Sequence, residues 1–351
     1  MKKIGIAEIE DGLILAKEVV NENDQLLLGA GVTIKKDQIE KLLENNILEV
    51  YVVDSEEDDP VLTLELKQIE EECVGAVKKI IEERFEGSEL DEIADIAEQI
   101  VKDALDNPGM KSCMLGIKRD RTDIYSHLIS TAVMSVIIAI KLDFKKEQLN
   151  DIAVGALLHD IGLRDIDLNY IDIDVSSLPS EEKLEYRVHV LKGYEYVRKF
   201  EWISNAACEI ILSHHEKADG SGYPFHKNKR NISKLVKLVS ICDVLDEKAN
   251  GIGYKKRKVH EIVEYFRTTG TYEYDYSIMS KIIQNIAWFT TGVKIMTNEG
   301  ETALVIRQNK GFPDRPVIKI LKDSNGNDVK ENIVKNLTEC LTIFITDTVE
   351  D

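Results

Sequence analysis

Three features are scarce in this 351-residue sequence: paired cysteines, basic charge and long apolar runs. The five cysteines are scattered, odd in number and never spaced Cys-x-x-Cys, so neither a disulfide framework nor a thiolate zinc site is indicated. With 64 acidic against 45 basic residues, the net charge of -19 argues against nonspecific binding of nucleic acid or acidic membranes. No run approaches the ~20 apolar residues that span a bilayer, and the first residues lack an apolar leader. These absences predict a soluble, cytoplasmic protein.

The chain is long enough for one large domain with appendages. Residues 1–59 alternate short strand-like runs with a helical stretch, which predicts a small α+β unit closed by an acidic run. Residues 60–110 have the spacing of connecting amphipathic helices, and 111–290 has successive helices, several apolar on nearly all sides. Residues 291–351 have three strand-like runs between turn signals, Val293–Met296, Leu304–Ile306 and Val317–Leu321, and predict a small β-rich appendix. The expected fold class is therefore mainly α.

Five of the seven histidines fall between positions 127 and 215, mostly within or beside apolar helices. A single histidine on such a helix is more often a hydrogen-bonded core residue than a ligand. A carboxylate there needs a cation or a proton. Because many such residues would each need a separate partner, one shared metal cluster explains them together. Nitrogen and oxygen ligands without thiolates suit Fe(II), Mn(II) or Zn(II). The candidate ligands are His127, His159, Asp160, His189, His214, His215 and Asp243.

The order of these residues, with the segment HHEKADGSGYP at 214–224, resembles the HD-GYP phosphodiesterases, a branch of the HD metal-dependent phosphohydrolases. The resemblance implies a helical HD-GYP bundle over about residues 111–290 and two or three divalent metal ions, iron or manganese. It also implies hydrolysis of cyclic di-GMP to pGpG or GMP. His159 and Asp160 form the family's catalytic dyad, in which the aspartate bridges to a second metal while the histidine binds the first.

Asp123 lies four residues before His127, at the spacing where family members with a third metal carry a carboxylate. It is therefore either a ligand of a third metal or a helix-capping aspartate. The resemblance further places Gly222, Tyr223 and Pro224 in the loop that borders the metals and the substrate. A homodimer, and a GGDEF-type signalling partner that docks on this GYP loop, are further expectations.

The sequence departs from the family where the substrate would bind. Leu163 replaces the lysine that reaches the substrate phosphate, and Ile252 replaces a common arginine. Lys255 keeps the second cation of that pair, and Arg164 offers a partial replacement if its loop turns back. Losing two charge-assisted contacts predicts binding weaker by about two to four orders of magnitude. The aspartate-rich segment 165–179 is expected to act as an acidic lid.

Three functions are consistent with these residues. An active phosphodiesterase for a cyclic dinucleotide ranks first, because the metal ligands are intact. A noncatalytic or weakly active metal-containing sensor, of a cyclic dinucleotide or of redox state, ranks second, because two substrate cations are missing. An HD phosphohydrolase for another phosphate ester ranks third, since the intact GYP signature disfavours it.

Overall fold

A computed structural model describes residues 123–349 apart from 310, 330 and 332, together with residues 91–106 and 115–116. Before residue 91 it describes shorter stretches: 2–6, 19–20, 26–28, 34, 38–39, 42–43, 45, 47, 49–52 and 77–78. The chain divides into two compact units, Met1–Gln68 and Ile69–Asp351. The domain boundaries expected after residues 59, 110 and 290 stay predictions.

The first unit contains two short antiparallel pairs of strands. Strand β1 (Lys2–Gly5) pairs with β4 (Glu49–Val52), and β2 (Val19–Val20) pairs with β3 (Leu26–Leu28). Residues 38–39 and 42–43 are helical. The unit therefore combines strands with helix, as its alternating short apolar runs predicted. Its buried core consists of Ile6, Val19, Ile34, Leu42 and Val50.

The second unit is mainly helical. Its helices, in chain order, are α1 (Asp91–Asp106), α2 (Ile124–Lys141), α3 (Lys146–Leu158), α4 (Ser180–Arg187), α5 (His189–Val197), α6 (Asn205–Ser213), α7 (Lys234–Asn250), α8 (Val259–Arg267), α9 (Gly270–Glu273) and α10 (Tyr276–Gln284). Short 3-10 turns occur at Ile161–Asp165, Val175–Ser177 and Lys229–Asn231.

Helix α2 forms the centre of this bundle because it is apolar on nearly all sides. It packs against α3 and α7, and α3 packs against α6. By length and composition α2 is apolar enough to cross a membrane, but 78% of it is buried inside the protein. Burial of this extent is what a core helix of a folded domain has.

Helix α7 has a defined start and end, which fixes the position of Asp243 between them. The hydroxyl of Ser233 accepts a hydrogen bond from Val236 N at the start. At the end, Gly251 adopts a φ of 75° and its N–H bonds to the carbonyl of Glu247. Only glycine adopts this left-handed conformation without a steric penalty, so Gly251 stops the helix.

The C-terminal part is an antiparallel sheet of five strands, whose order across the sheet is β10 (Val334–Asn336), β9 (Val317–Lys322), β8 (Thr302–Arg307), β7 (Lys294–Thr297) and β11 (Ile345–Thr348). This sheet confirms the small β-rich part expected after a mainly α domain. Strands β10 and β11 add to the three expected from the sequence. Arg267 of α8 and Asp314 join helix and sheet through an ion pair of 2.8 Å. A separate parallel pair joins β5 (Leu115–Gly116) to β6 (Ile286–Ala287).

Candidate metal centre

The seven ligand candidates of the sequence meet at one place between five helices. Except for His215, which is half-buried, each is at most 2% exposed. Their positions are His127 in the first turn of α2, His159 and Asp160 directly after α3, His189 at the start of α5, His214 and His215 directly after α6, and Asp243 within α7.

One group of ligand atoms gathers around one oxygen of Asp160. Nε2 of His127 and Nε2 of His159 lie 3.2 Å apart. Oδ1 of Asp243 lies 3.2 and 3.3 Å from these two nitrogens, and Oδ2 of Asp160 lies 3.8 and 3.5 Å from them. Ligands bound at about 2.1 Å to one divalent ion are separated by about 3–3.5 Å. The two nitrogens and two oxygens therefore have the spacing of a single ion's ligands.

A second group gathers around the other oxygen of the same aspartate. Oδ1 of Asp160 lies 3.1 Å from Nε2 of His189 and 3.5 Å from Nε2 of His214. The two nitrogens lie 3.4 Å apart. His215 joins this group, since one ligand atom from each of the four residues falls within 4.8 Å of the others. Asp160 is thus shared between the two groups, one oxygen to each.

Hydrogen bonds at Nδ1 aim four of the imidazoles inward. Nδ1 of His159, His189 and His214 lies 2.7, 2.7 and 3.0 Å from the backbone carbonyl three residues earlier. Nδ1 of His127 lies 2.8 Å from Oδ2 of Asp246. A carbonyl can only accept, so each of those rings carries its proton on Nδ1 and leaves Nε2 free to bind an ion.

The centre contains polar atoms that the protein itself does not satisfy. Both carboxylate oxygens of Asp160, Oδ1 of Asp243 and Nε2 of His215 are buried and have no hydrogen-bond partner within the described part of the chain. Leaving such atoms unpaired in the interior costs free energy. They are the same atoms that point into the two groups. The cluster therefore fits divalent metal ions, which would pair with all of them at once.

The charges of the centre shift the pKa values of its members in opposite directions. Burial opposes ionisation of Asp160, but the charges of His159 and His189 hold the pKa of its carboxyl well below the usual value. Burial lowers the pKa of His127, but the carboxylates of Asp243 and Asp246 raise it well above normal overall. The carboxylates of Asp160 and Asp243 therefore stay ionised and ready to bind a cation.

A tight loop after α6 covers the side of His215. The ring of Tyr223 stacks on the ring of His215 at 4.7 Å between centroids. Glu216, buried, accepts hydrogen bonds from the backbone N–H groups of Phe225 and Lys227 at 2.6 and 2.7 Å. At Gly222 a Cβ atom would lie 2.3 Å from a backbone nitrogen, so only glycine fits. Motif residues thus hold Tyr223 and Pro224 beside the centre.

The two candidate substrate cations lie in different surroundings. Arg164 is half-buried, and its guanidinium lies 3.8 Å from the ring centroid of Tyr196 and 3.7 Å from a carboxylate oxygen of Asp165. Its role in binding the substrate stays a prediction. Lys255 is exposed in the loop after α7.

The two aliphatic replacements lie in the protein core. Leu163 is 2% exposed in an apolar cluster with Ile166, Val175 and Tyr186, and Ile252 is fully buried. The segment 165–179 runs back over the loop after α7 and pairs with it: Asp172 N donates to the carbonyl of Gly251 at 2.6 Å, and Gly253 N donates to that of Tyr170 at 2.8 Å. The aspartate-rich segment is therefore anchored to this loop by backbone hydrogen bonds.

Asp123 is the N-cap of α2. Its carboxylate accepts hydrogen bonds from the N–H of Ser126 at 2.9 Å and from the hydroxyl of Ser126 at 2.8 Å. Asp123 belongs to none of the sets of described residues whose ligand atoms lie within 4.8 Å of one another. Its role as a third-metal ligand stays a prediction.

Sequence reasoning missed three residues at this centre. Asp246 orients His127 and accepts a hydrogen bond from Ser130 at 2.5 Å. Glu247 is 2% exposed and joins His215 and Asp243 within 4.8 Å, and burial followed by the charge of Asp243 raises its pKa well above normal. Both carboxylates lie in the same apolar helix as Asp243, three and four residues later, which is the spacing that places them on its face. Tyr186, the third, is buried against the ring of His189.

Comparison with known proteins identifies matching parts of the chain. Residues 124–248 match the HD domain family, and residues 295–351 match a KOW domain associated with HD domains. A cyclic di-GMP phosphodiesterase of Pseudomonas aeruginosa, PA4108, is 22% identical over 65% of this chain and 55% of its own length. A cyclic di-GMP phosphodiesterase of Thermotoga maritima is 31% identical over 44% of this chain and 41% of its own length. The chain spans about half the length of these relatives.

A solved structure has a similar fold. Bd1817, an HDG"Y"P protein of Bdellovibrio bacteriovorus, matches with a TM-score of 0.52 and 18% identity. The match covers 80% of this chain and 97% of that protein. At this identity the likeness concerns the fold, and it agrees with the helical arrangement of α2 to α7.

Proposed function

We propose that this chain, whose residues 124–248 match the HD domain family, is a metal-dependent phosphodiesterase that hydrolyses cyclic di-GMP or a related cyclic dinucleotide to pGpG or GMP. The observation that carries the proposal is the carboxylate of Asp160, whose two buried and unpartnered oxygens face two separate sets of imidazoles. Such a shared carboxylate suits a pair of adjacent cations. The relatives' names supply the substrate class.

Within this proposal, each residue of the centre has a defined task. His127, His159 and Asp243 hold one cation together with Oδ2 of Asp160. His189, His214 and His215 hold the second cation together with Oδ1 of Asp160. Iron or manganese is the proposed metal, as the resemblance to the HD-GYP phosphodiesterases implies, and the nitrogen and oxygen donor set suits either ion. When bound, such a pair activates water and neutralises the charge of the reacting phosphate.

The residues of the protein contribute orientation and substrate contact. The Nδ1 hydrogen bonds keep the ligand nitrogens turned inward, in the orientation that binding a cation requires. We propose that Gly222, Tyr223 and Pro224 border the substrate, and that Lys255 and Arg164 supply cations for its phosphates. A cytoplasmic location, a homodimer and a GGDEF-type partner at the GYP loop stay predictions from the resemblance.

One observation favours a second candidate, a weakly active sensor that binds a cyclic dinucleotide. Leu163 and Ile252 occupy the positions of two phosphate-binding cations and are both buried. A nucleotide bound without them has fewer charge-assisted contacts, each of which contributes about 1.5–3 kcal/mol. The metal ligands remain in either case, so metal content alone does not separate the two functions.

The test is turnover by protein purified without oxygen and reloaded with Fe(II) or Mn(II). Cyclic di-GMP, cyclic di-AMP and a nucleoside monophosphate are offered in parallel, and the products are separated by chromatography. We expect linear dinucleotide or mononucleotide from a cyclic dinucleotide, and none from Asp160→Ala or from chelator-treated protein. Binding of the cyclic dinucleotide without turnover would establish the sensor instead, and turnover of the monophosphate alone would contradict both.

A further inference from the structure

We propose that Arg187 binds the phosphodiester of the cyclic dinucleotide that does not react. The inference rests on the proposed function, because it names a contact that holds that substrate beside the two cations. Arg187 is the last residue of α4, and its side chain is exposed. Its guanidinium carbon lies 5.1 Å from the ring centroid of Tyr223. Arg187 therefore offers a positive charge next to the loop that covers His215.

Two sets of contacts fix Arg187 beside the metal centre. The peptide group that joins Tyr186 to Arg187 provides the carbonyl oxygen that lies 2.7 Å from Nδ1 of His189. The ring of Tyr186 is buried, and its centroid lies 5.1 Å from that of His189. The side chain of Arg187 contacts Tyr223, which stacks on the ring of His215 at 4.7 Å. Arg187 is thus joined to two ligands of the second cation, one through its backbone and one through Tyr223.

The charge of Arg187 is not neutralised within the described part of the chain. No carboxylate there lies within ion-pair distance of its guanidinium, and no hydrogen bond there uses its side-chain donors. Arg164 differs, because it lies 3.7 Å from a carboxylate oxygen of Asp165. In a chain with a net charge of -19, an exposed arginine that no carboxylate neutralises is available to an anionic ligand.

A second cation lies on the same face of α4. Lys183 precedes Arg187 by four residues, the spacing that makes two side chains neighbours on a helix. Among the described residues, Lys183 also has no ion-pair partner. Two like charges at this spacing destabilise a helix, and an anion bound to both would relieve their repulsion. The pair therefore favours a ligand group with two anionic oxygens, such as a phosphodiester.

The contact with Tyr223 holds the guanidinium without using its hydrogen-bond donors. An arginine beside an aromatic ring is attracted through its charge, while the N–H groups at the edge of its plane stay available. These groups match two phosphate oxygens in a bidentate arrangement. A cyclic dinucleotide has two phosphodiesters, and the reacting one is held by the two cations. The acceptor left for Arg187 is therefore the second phosphodiester.

The first experiment measures binding to the metal-loaded full chain by calorimetry. The probe is a phosphorothioate analogue of cyclic di-GMP that resists hydrolysis. Arg187→Ala should bind it about 10–100-fold more weakly than the wild type, because one charge-assisted contact is lost. Arg187→Lys should lose less, since it keeps the charge without the bidentate geometry.

Arg198→Ala is the matched control for these variants. Arg198 directly follows α5 and is also exposed, and its guanidinium carbon lies 5.9 Å from the ring centroid of Tyr194. It shares the residue type, the exposure and the kind of aromatic contact with Arg187, but its tyrosine lies outside the motif loop. We expect Arg198→Ala to bind the analogue as the wild type does.

A substrate with one phosphodiester separates substrate contact from a structural role. Bis(4-nitrophenyl) phosphate offers the reacting group alone, so Arg187→Ala should lose much less activity toward it than toward cyclic di-GMP. With cyclic di-GMP, the same variant should show a raised KM and little change in kcat, as expected when uniform binding is lost. An equal loss with both substrates would overturn the inference, because it would indicate a disturbed centre.

The remaining outcomes distinguish this inference from the proposed function. Wild-type affinity in Arg187→Ala, or an equal loss in Arg198→Ala, would overturn the role of Arg187 and leave the proposed function in place. Binding of the analogue by a wild type that hydrolyses neither substrate would overturn the proposed function, and the binding comparison would still decide on Arg187. Absence of binding in the wild type would overturn both. Should Arg187→Ala fail to fold, Arg187→Gln replaces it with the same expected loss, because glutamine is polar but uncharged.

Discussion

Asp246 and His127 meet through a hydrogen bond of 2.8 Å between Oδ2 and Nδ1, although 119 positions separate them in the chain. The bond ties helix α7 to helix α2 at the ligand nitrogen, and Ser130 holds the other oxygen of Asp246. It fixes the direction in which Nε2 of His127 points. Such partners of metal-binding histidines contribute strongly to affinity without touching the ion.

Replacement of Asp246 by asparagine should therefore weaken one cation more than the other. We expect about a 10–100-fold loss of affinity for the ion held by His127, because the imidazole loses its charged partner. Competition with a fluorescent chelator measures the affinity of each protein for the cation. Ser130→Ala serves as the control, since it removes a hydrogen bond from the same carboxylate and leaves the charge. An equal affinity for this ion in wild type and Asp246→Asn would contradict the role of Asp246 in orienting His127.

Asp160→Ala should remove both cations at once. Its two oxygens face separate groups of imidazoles, so neither group remains complete. His189→Ala, by contrast, should impair chiefly the second group and leave the first. Metal analysis of anaerobically purified proteins gives the ratio of ions to chain. Two tightly bound ions in Asp160→Ala would show that the carboxylate is not shared.

Cation binding should release protons and strengthen as the pH rises. The carboxylates of Asp243 and Asp246 raise the pKa of His127 well above normal against the opposing effect of burial. The metal-free protein thus carries a proton on Nε2 at neutral pH, and an ion must displace it. Below the raised pKa, affinity should increase with pH. Calorimetry in two buffers of different ionisation enthalpy counts the protons. No proton release at pH 7 would contradict the assignment of a proton to Nε2 of His127 in the metal-free protein.

Leu163→Lys should destabilise the protein without improving substrate binding. Leu163 is packed with Ile166, Val175 and Tyr186, and a lysine there places a charge in an apolar cluster. The expected loss in free energy of unfolding is about 2 kcal/mol or more. Leu163→Met conserves volume and should lose less than about 1.5 kcal/mol. Denaturant titration measures the free energy of unfolding of both variants. A stable Leu163→Lys variant with a lower KM would show that the side chain reaches the substrate.

Asp123→Ala distinguishes the two roles considered for that residue. Removing the N-cap of α2 should lower the free energy of unfolding by about 0.5–2 kcal/mol. If capping is its only role, the number of bound ions stays unchanged. Loss of one ion in the folded variant would instead assign Asp123 as a ligand. Thermal unfolding and metal analysis on the same preparation give both answers.

The sequence predicted the ligand cluster because histidines and aspartates stand out in apolar helices. The helical domain and the antiparallel C-terminal strands followed from periodicity. Strand β10 was missed because Val334–Asn336 is short and lacks a buried face. The burial of Leu163 among Ile166, Val175 and Tyr186 was also missed. The burial of Ile252 was missed because it depends on how segment 165–179 pairs with a loop about 80 residues later. Contacts of that range leave no periodic pattern in the sequence.

The carbonyl acceptors of His159, His189 and His214 have a consequence for how the centre tolerates genetic change. Every residue type has a backbone carbonyl, so no substitution at Ala156, Tyr186 or Ile211 deletes the group that orients the ring. His127 differs, because a single base change in the codon of Asp246 removes its acceptor. Among the groups that orient these four rings, the carboxylate of Asp246 is therefore the one that a substitution can delete.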